Sequence, residues 1–417
     1  MALPAQISVS FDYSNGATFG FQGLVIGDSK FGLIGTGQLA AENSGNDPVI
    51  DLTPNVYHIS ITRGRNIQRD TYEAGNCVVR VLDPQSYFNP QNTASPYYGY
   101  LAPLRKIRVA ATTATTQKFL FSGYITDYKY TYPVNQDTAY VDITCTDGFR
   151  LFQMANITTV AGATAGQTTS ARIASIMDQV SFPTSMRTLS TGVNTCIADP
   201  GTSRTSLAAI KNAEVSEGLG AFYMDGTGQA IFKNRTEVMQ SLSKTPVAFN
   251  QTTGIPYRNL KFSFDDKLII NQANFGRVGG TVQTAYNTSS INKYFPHSIT
   301  QTDLVAETDT MVQNLALEYV ATRQETTIRI DEMVVDLLDP AVPTNTMIGL
   351  DFFDNLLITN VQPDGSTIVK NLQYQGINWD ITPNKMMATI TTLEPINDAF
   401  IVGSSYYGII GTNTLGY

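Results

Sequence analysis

Few residues in this chain are of a type and spacing that could do chemistry. Histidine occurs twice, at His58 and His297, which leaves no H-x-x-x-H metal pair and makes a histidine-based triad a poor expectation. Cys77, Cys145 and Cys196 are far apart in the chain and share no C-x-x-C spacing, so they read as small buried hydrophobes. Gly276-Arg-Val-Gly279-Gly280 resembles a phosphate loop, but a Thr/Gln strand follows where a Lys-Ser/Thr pair or a helix N-terminus is needed. The segments starting at Gly27 and Gly403 read G-x-S-x-x-G, one residue too long for a nucleophile elbow. Acidic pairs stand at Asp265-Asp266, Asp331-Glu332, Asp336 with Asp339, and Asp351 with Asp354. A glycosidase needs two carboxylates roughly 5–10 Å apart across a sugar, and solvated turns or strand ends explain these pairs more simply. Asp225-Gly-Thr-Gly228 lacks the alternating acids and closing Glu of a calcium loop and reads as a hairpin turn. The expectation is a protein without catalytic residues, metal ligands or a cofactor.

The elements that carry these residues are mostly strands. Charged residues make up only 15% of the 417, well below the usual share of a soluble domain, so much of the polar surface must come from Thr, Ser, Asn and Gln. Such Thr- and Tyr-rich sequences favour pleated, half-buried surfaces. The formal charge of −8 argues against a dedicated nucleic-acid binder, which needs a basic face. No basic, apolar leader opens the chain and no apolar run is long enough to span a bilayer, so neither a secretory signal nor a membrane anchor is expected.

Three segments follow from the patterning. Residues 1–155 hold a first β-barrel-like module with an N-terminal arm. Tyr57, Ile59 and Ile61 alternate up to a basic turn at Arg63-Gly64-Arg65, and Cys77, Val79 and Val81 resume the alternation to Asp83-Pro84. A hairpin is expected over Tyr124–Tyr130, with Tyr124, Tyr128 and Tyr130 on one face. Residues 156–260 form a small α+β insertion. Its helices are expected over Ser170–Val180 and Ser203–Glu217, the latter capped by Ser203, and a hairpin turns at Asp225-Gly226. Residues 261–417 return to strands as a second barrel-like module, with one helix within Asp303–Arg323 and a C-terminal tail. The fold class is therefore mainly β (α+β): two β-barrel-like modules and an α+β insertion. The only internal echo joins Gly27–Leu39 to Gly403–Leu415, where Gly, Ser, Gly, Ile, Gly, Thr and Leu recur in register and Phe31 answers Tyr407. Equivalent contacts made by the two ends of the chain would explain it.

Two surface features stand out as contact candidates. Arg63 and Arg65 form the densest basic cluster, fit for an acidic partner surface or phosphate, or simply solvated. The loop from Tyr87 to Tyr100 gathers Tyr97, Tyr98 and Tyr100, and Tyr suits protein interfaces because it pairs a large apolar area with a polar tip. Sugar stacking and packing at a loop end are the competing readings.

Several patterns in order then resemble a known family. They begin with Leu24-Val-Ile-Gly-Asp28, Phe31-Gly-Leu-Ile-Gly35 and Asp51-Leu-Thr-x-Asn-Val56. Next come Ile59-x-Ile-x-Arg-Gly-Arg65, Tyr72-x-Ala-Gly75 and Val79-x-Val-Leu-Asp-Pro84. Phe88-Asn-Pro90, Ser95-Pro-Tyr-Tyr-Gly99, Phe121-x-Gly-Tyr-Ile125 and Cys145-Thr-Asp147 continue the order. Gly228, Phe232 and Arg235, the segment Asn271–Gly280, Gly376-Ile-Asn-Trp-Asp-Ile-Thr-Pro383 and Tyr407-Gly-Ile-Ile-Gly411 complete it. Together they are similar to the hub, or minor tail, proteins at the tip of long non-contractile phage tails, which are related in fold to the baseplate hub of contractile phages. Gly35 and Gly411 depart from the family, where Asp is expected. The resemblance implies a homotrimer whose two modules per subunit present six similar units to a sixfold tail tube. It further implies a distal tail ring or tube protein, a tape measure protein and tip or receptor-binding proteins as partners, location in the virion tail tip after synthesis in the bacterial cytoplasm, and DNA only in transit through an acidic lumen. The rivals are the hexameric distal tail ring protein and a polysaccharide-binding adhesin or cell-wall hydrolase of the tail.

Overall fold

A computed structural model describes residues 3–19, 49–66, 71–134, 136–326 and 329–395. The echo between 27–39 and 403–415, with Phe31 and Tyr407, lies outside the described residues.

The first strand-rich region runs through β1 (Gln6–Asp12), β2 (Val49–Asp51), β3 (Val56–Asn66), β4 (Thr71–Tyr72), β5 (Asn76–Leu82), β6 (Lys106–Thr112), β7 (Gln117–Thr131) and β8 (Tyr140–Thr146). Period-two alternation becomes alternate burial: Cys77, Val79 and Val81 on β5 and Val141, Ile143 and Cys145 on β8 are wholly enclosed. Two expected turns are instead extended chain. Arg63-Gly64-Arg65 lies inside β3, which runs on to Asn66. Tyr124–Tyr130 is the C-terminal half of the 15-residue β7 rather than a hairpin. On β7 the exposed Asp127 and Lys129 supply the polar face of a strand, whereas on β3 the half-buried Arg63 and Arg65 continue the inward parity of Ile59 and Ile61, and in both places neighbouring strands hold the chain extended.

The insertion contains α1 (Phe149–Met154), α2 (Thr169–Gln179) and α3 (Ser206–Glu217). Thr205, not Ser203, caps α3, its side chain accepting from the Ala208 N–H. The hairpin Ala221–Met224 with Ala230–Lys233 forms as expected, with the Asp225 carboxylate accepting from the Thr227 and Gln229 N–H groups at 3.0 and 2.8 Å.

The second strand-rich region is threaded through by a separate unit. Strands Gln272–Arg277, Gln283–Tyr286 and Ser298–Leu304 form their own sheet, and the helix Asp309–Arg323 packs on it. Phe275, Leu304, Val312, Leu315 and Ala316 make a core distinct from the main one, against which Met311 and Tyr319 pack. The remaining strands of this region join the first region in one 14-stranded sheet.

That sheet holds the same arrangement twice. In the first half, β1, β3, β5, β6, β7 and β8 lie in the order β3-β5-β8-β7-β6-β1. In the second half, the strands are Val247–Asn250, Asn259–Ser263, Arg329–Asp336, Asn355–Val361, Thr367–Thr382 and Lys385–Leu393. Numbered along the chain, each half reads second, third, sixth, fifth, fourth, first across the sheet. The fifth strand is the long one in both. β7 gives residues 117–124 to its fourth-strand neighbour and 124–131 to its sixth, and the Thr367–Thr382 strand gives 367–373 and 373–382 in the same way. A bulge interrupts both fifth–sixth pairings, at Ile125/Asp127 and at Tyr374/Gly376. The halves differ at the first strand, which runs antiparallel to its neighbour in the first half and parallel in the second.

Candidate interaction site: the seam and the aromatic loop

The halves meet where β3 pairs antiparallel with residues 376–381 of the Thr367–Thr382 strand. Gly64 stands opposite Gly376, and a Cβ on Gly64 would lie 2.7 Å from the Gly376 Cα, so the two backbones approach as only glycine allows. Further along the seam Trp379 faces Ile61 and Ile381 faces Ile59, all four inside the core. Burying side chains of this size stabilises by about 1.5–3 kcal/mol each, which makes the seam part of the fold.

An aromatic cluster closes one side of the seam. Tyr72, Tyr223, Phe352, Phe353 and Tyr374 pack with ring centroids between 4.8 and 6.3 Å apart. The Tyr72 hydroxyl donates to the Gln375 amide oxygen at 2.8 Å, and burial holds that phenol neutral. Arg63 lies over the Phe352 ring at 5.2 Å and donates to the Met224 carbonyl at 2.7 Å. Its charge is thus spent inside the chain, tying β3 to the insertion and to the second half. Arg65 lies over Tyr72 at 5.9 Å. Beneath Arg63, the Asp147 carboxylate accepts from the Gly75 N–H at 2.6 Å and the Phe149 N–H at 3.0 Å. Burial nevertheless pushes its pKa up to about 7, against the pull of those two bonds.

The aromatic loop is built, not slack. From Asp83 to Tyr100 each turn closes on the next: Ser86, Asn89, Asn92, Ser95 and Tyr98 each donate their N–H to the carbonyl three residues back. Asp83 anchors the start by accepting from the Tyr87 and Phe88 N–H groups at 2.7 and 3.1 Å. Phe88 is buried, with the half-buried Tyr97 beside it at 5.1 Å. Tyr98 and Tyr100 remain outside, 50% and 42% exposed, and Tyr100 leans on Tyr13 at 4.6 Å. Of the contact candidates, these two tyrosines present apolar area to solvent, whereas Arg63 is engaged within the chain.

The acidic pairs are largely neutralised by neighbours. Arg329 bridges Asp265 at 2.7 Å and Asp331 at 2.6 Å, which holds the Asp265 carboxyl well below the usual range. Glu332 pairs with Lys261 at 2.5 Å and Asp354 with Lys244 at 3.1 Å, while Asp336 pairs with Arg258. Loss of solvation beside Phe352 and Phe353 raises the Asp351 pKa, although part of the residue remains exposed. Cys77 stands directly across from Cys145, and both thiols are buried and held protonated by their apolar surroundings. Among the described residues no group of three or more His, Cys, Asp and Glu is placed to hold a metal ion, and no helix is long and apolar enough to cross a membrane.

With this geometry in place, solved structures with a similar fold include two that cover most of both chains. The tail protein from Neisseria meningitidis MC58 superposes with a TM-score of 0.54 at 10% identity, over 81% of this chain and 92% of that one. The 43 kDa tail protein of prophage MuSo2 from Shewanella oneidensis superposes with a TM-score of 0.54 at 12% identity, over 84% and 95%. The chain has the fold of these tail proteins. No family model and no curated protein matches its sequence.

Sequence reasoning missed the seam. Gly376 and Trp379 sit in a motif it singled out, yet nothing in that motif says which strand lies opposite. The pairing joins residues more than three hundred positions apart, and period-two patterning carries no information on partners at that range.

Proposed function

We propose that the chain is a structural protein of a phage tail tip, a hub that forms a ring without catalysis. The observation that carries this is the duplicated strand order within one sheet, in a fold shared with two tail proteins. A subunit holding two equivalent units is the economical way for three copies to present six units to a sixfold tube. On this reading the hub lies between the distal ring or tube protein and the tip or receptor-binding proteins. The end of the tape measure meets it, and DNA passes through without being held. Tyr98 and Tyr100 are the proposed contacts to a protein partner, since they are the most exposed aromatics of a loop anchored by the buried Phe88. A hexameric distal ring would need only one unit per chain for its six contacts, which disfavours it.

The test is the mass of the purified full chain by light scattering. Three times the 45.5 kDa chain mass is expected. Six copies would point to the distal ring, and a stable monomer that binds host polysaccharide would point to an adhesin.

A further inference from the structure

The two halves share a strand order but not a full set of pairings. In the second half the long strand gives residues 376–381 to β3 of the first half. In the first half, the corresponding edge of β7 is covered by β6 only as far as Tyr124. Leu104 and Arg105 close it at Ile125 with two bonds of 2.7 Å. Beyond that point no described strand pairs with this edge, while β8 holds the opposite edge out to Thr131. Among the described strands Asn259–Ser263, the counterpart of β3, pairs only with Arg329–Asp336 and ends the sheet. Among the described strands, one long strand lacks its partner, and the equivalent partner lacks its long strand.

Register shows what would meet. Aligning the bulge at Ile125/Asp127 with that at Tyr374/Gly376 places Tyr130 where Trp379 stands and Tyr132 where Ile381 stands. Following the third and sixth strands of each half places Phe262 at the position of Ile61 and Leu260 at that of Ile59. In the made seam those positions are at most 3% exposed. At the unmade one Tyr130, Phe262 and Leu260 are half-buried and Tyr132 is 50% exposed. Every position that the seam turns inward is apolar here as well, yet none is fully covered.

We propose that residues 128–132 of one copy pair antiparallel with residues 260–264 of a second copy. Tyr130 then faces Phe262, Tyr132 faces Leu260, and Phe264, 68% exposed in the single chain, meets Tyr128 on the same face. This is strand addition between sheet edges, with backbone bonds supplying affinity and the alternate apolar pairs supplying register. The contact is head-to-tail, because the two edges lie at different places on the chain, so it propagates until a ring closes. It rests on the reading above that copies of the chain assemble, and it names the surfaces by which they do so.

The test uses the full chain carrying Lys129→Cys and Ser263→Cys, which the register puts directly opposite each other, with all three native cysteines buried. Mild oxidation followed by denaturing electrophoresis is expected to give a covalent ladder ending at three chains, and neither single variant should cross-link into a ladder. A ladder ending at another size supports the joint and overturns the trimer. A trimer by mass that never cross-links overturns the joint and leaves the hub reading standing. A monomer without cross-links overturns both. Should the double variant misfold, hydrogen exchange on the unaltered protein decides. The amides of 128–132 and 260–264 should slow by about tenfold or more on assembly, and unchanged exchange at both segments overturns the joint.

Discussion

The first half of the sheet and the second place six strands alike, yet join them differently. Residues 67–75 connect the second and third strands of the first half, whereas residues 264–328 do so in the second and carry a sheet and helix with their own core. The third and fourth strands are joined in the first half by the aromatic loop, with Tyr98 and Tyr100 outside. In the second half the equivalent connection turns Phe352 and Phe353 into the seam. The strands carry what must be repeated for two units to be equivalent, and the connections carry what makes each unit different. The same contrast appears at the edges, since one seam is made within the chain and its counterpart is unpaired among the described strands.

The comparison can be broken most directly at Trp379. Trp379→Ala should cost about 3–5 kcal/mol of unfolding free energy by denaturant titration, since it empties the centre of the made seam. A loss under about 1 kcal/mol would mean that the halves do not depend on each other. The end of the sixth strand offers the next contrast. Asp147 is buried there in the first half, while Glu394 at the equivalent place is ion-paired with Lys370 at 2.6 Å. Because folding raises the Asp147 pKa to about 7, its contribution is fully present below about pH 4 and is lost as pH climbs through 7. Stability should therefore fall by about 2–3 kcal/mol between pH 5 and pH 8, and Asp147→Asn should flatten that slope. Equal slopes in the two proteins would assign the pH dependence elsewhere. Gly64→Ala should cost about 1–3 kcal/mol through the clash with Gly376, measured as a shift in denaturation midpoint.

Tyr130→Ala sharpens the difference between the seams. Its counterpart Trp379 should damage folding, whereas Tyr130 should chiefly damage assembly, raising the dissociation constant about tenfold or more by analytical ultracentrifugation. The smallest effect is expected at Asp127, which the register places opposite Asp265 where the made seam has Gly376 opposite Gly64. Like charges face to face are unfavourable, so Asp127→Asn should tighten assembly by roughly 0.2–1 kcal/mol, and looser assembly would shift the register.

Much of the local structure was legible. Alternation located β5 and β8, helical spacing located α2 and the Asp309–Arg323 helix, and Asp225-Gly226 located its hairpin. Each rests on signals within a dozen residues. The errors came where local signals point the wrong way. Arg63-Gly64-Arg65 looks like a turn because glycine usually marks one, but this glycine is there for the backbone opposite. Ser203 was a plausible cap, but Thr205 sits where α3 begins. The strand order of the two halves shares no sequence pattern that would reveal it, because residues such as Trp379 and Tyr130 occupy equivalent places with different side chains. The contact sites divide in the same way. An aromatic loop could be read directly, but which tyrosines stay outside depends on Phe88 and Tyr97 taking the inside places.

The two edges left unpaired among the described strands also set a hazard for the newly made chain. An unpaired strand edge accepts any extended segment, so before assembly each copy carries two templates for aggregation. Asp127 and Lys129 on one edge and Lys261 on the other are exposed charges of the kind that blunt such edges. If these charges guard the edges, neutralising Asp127, Lys129 and Lys261 together should lower the soluble yield of the chain produced alone.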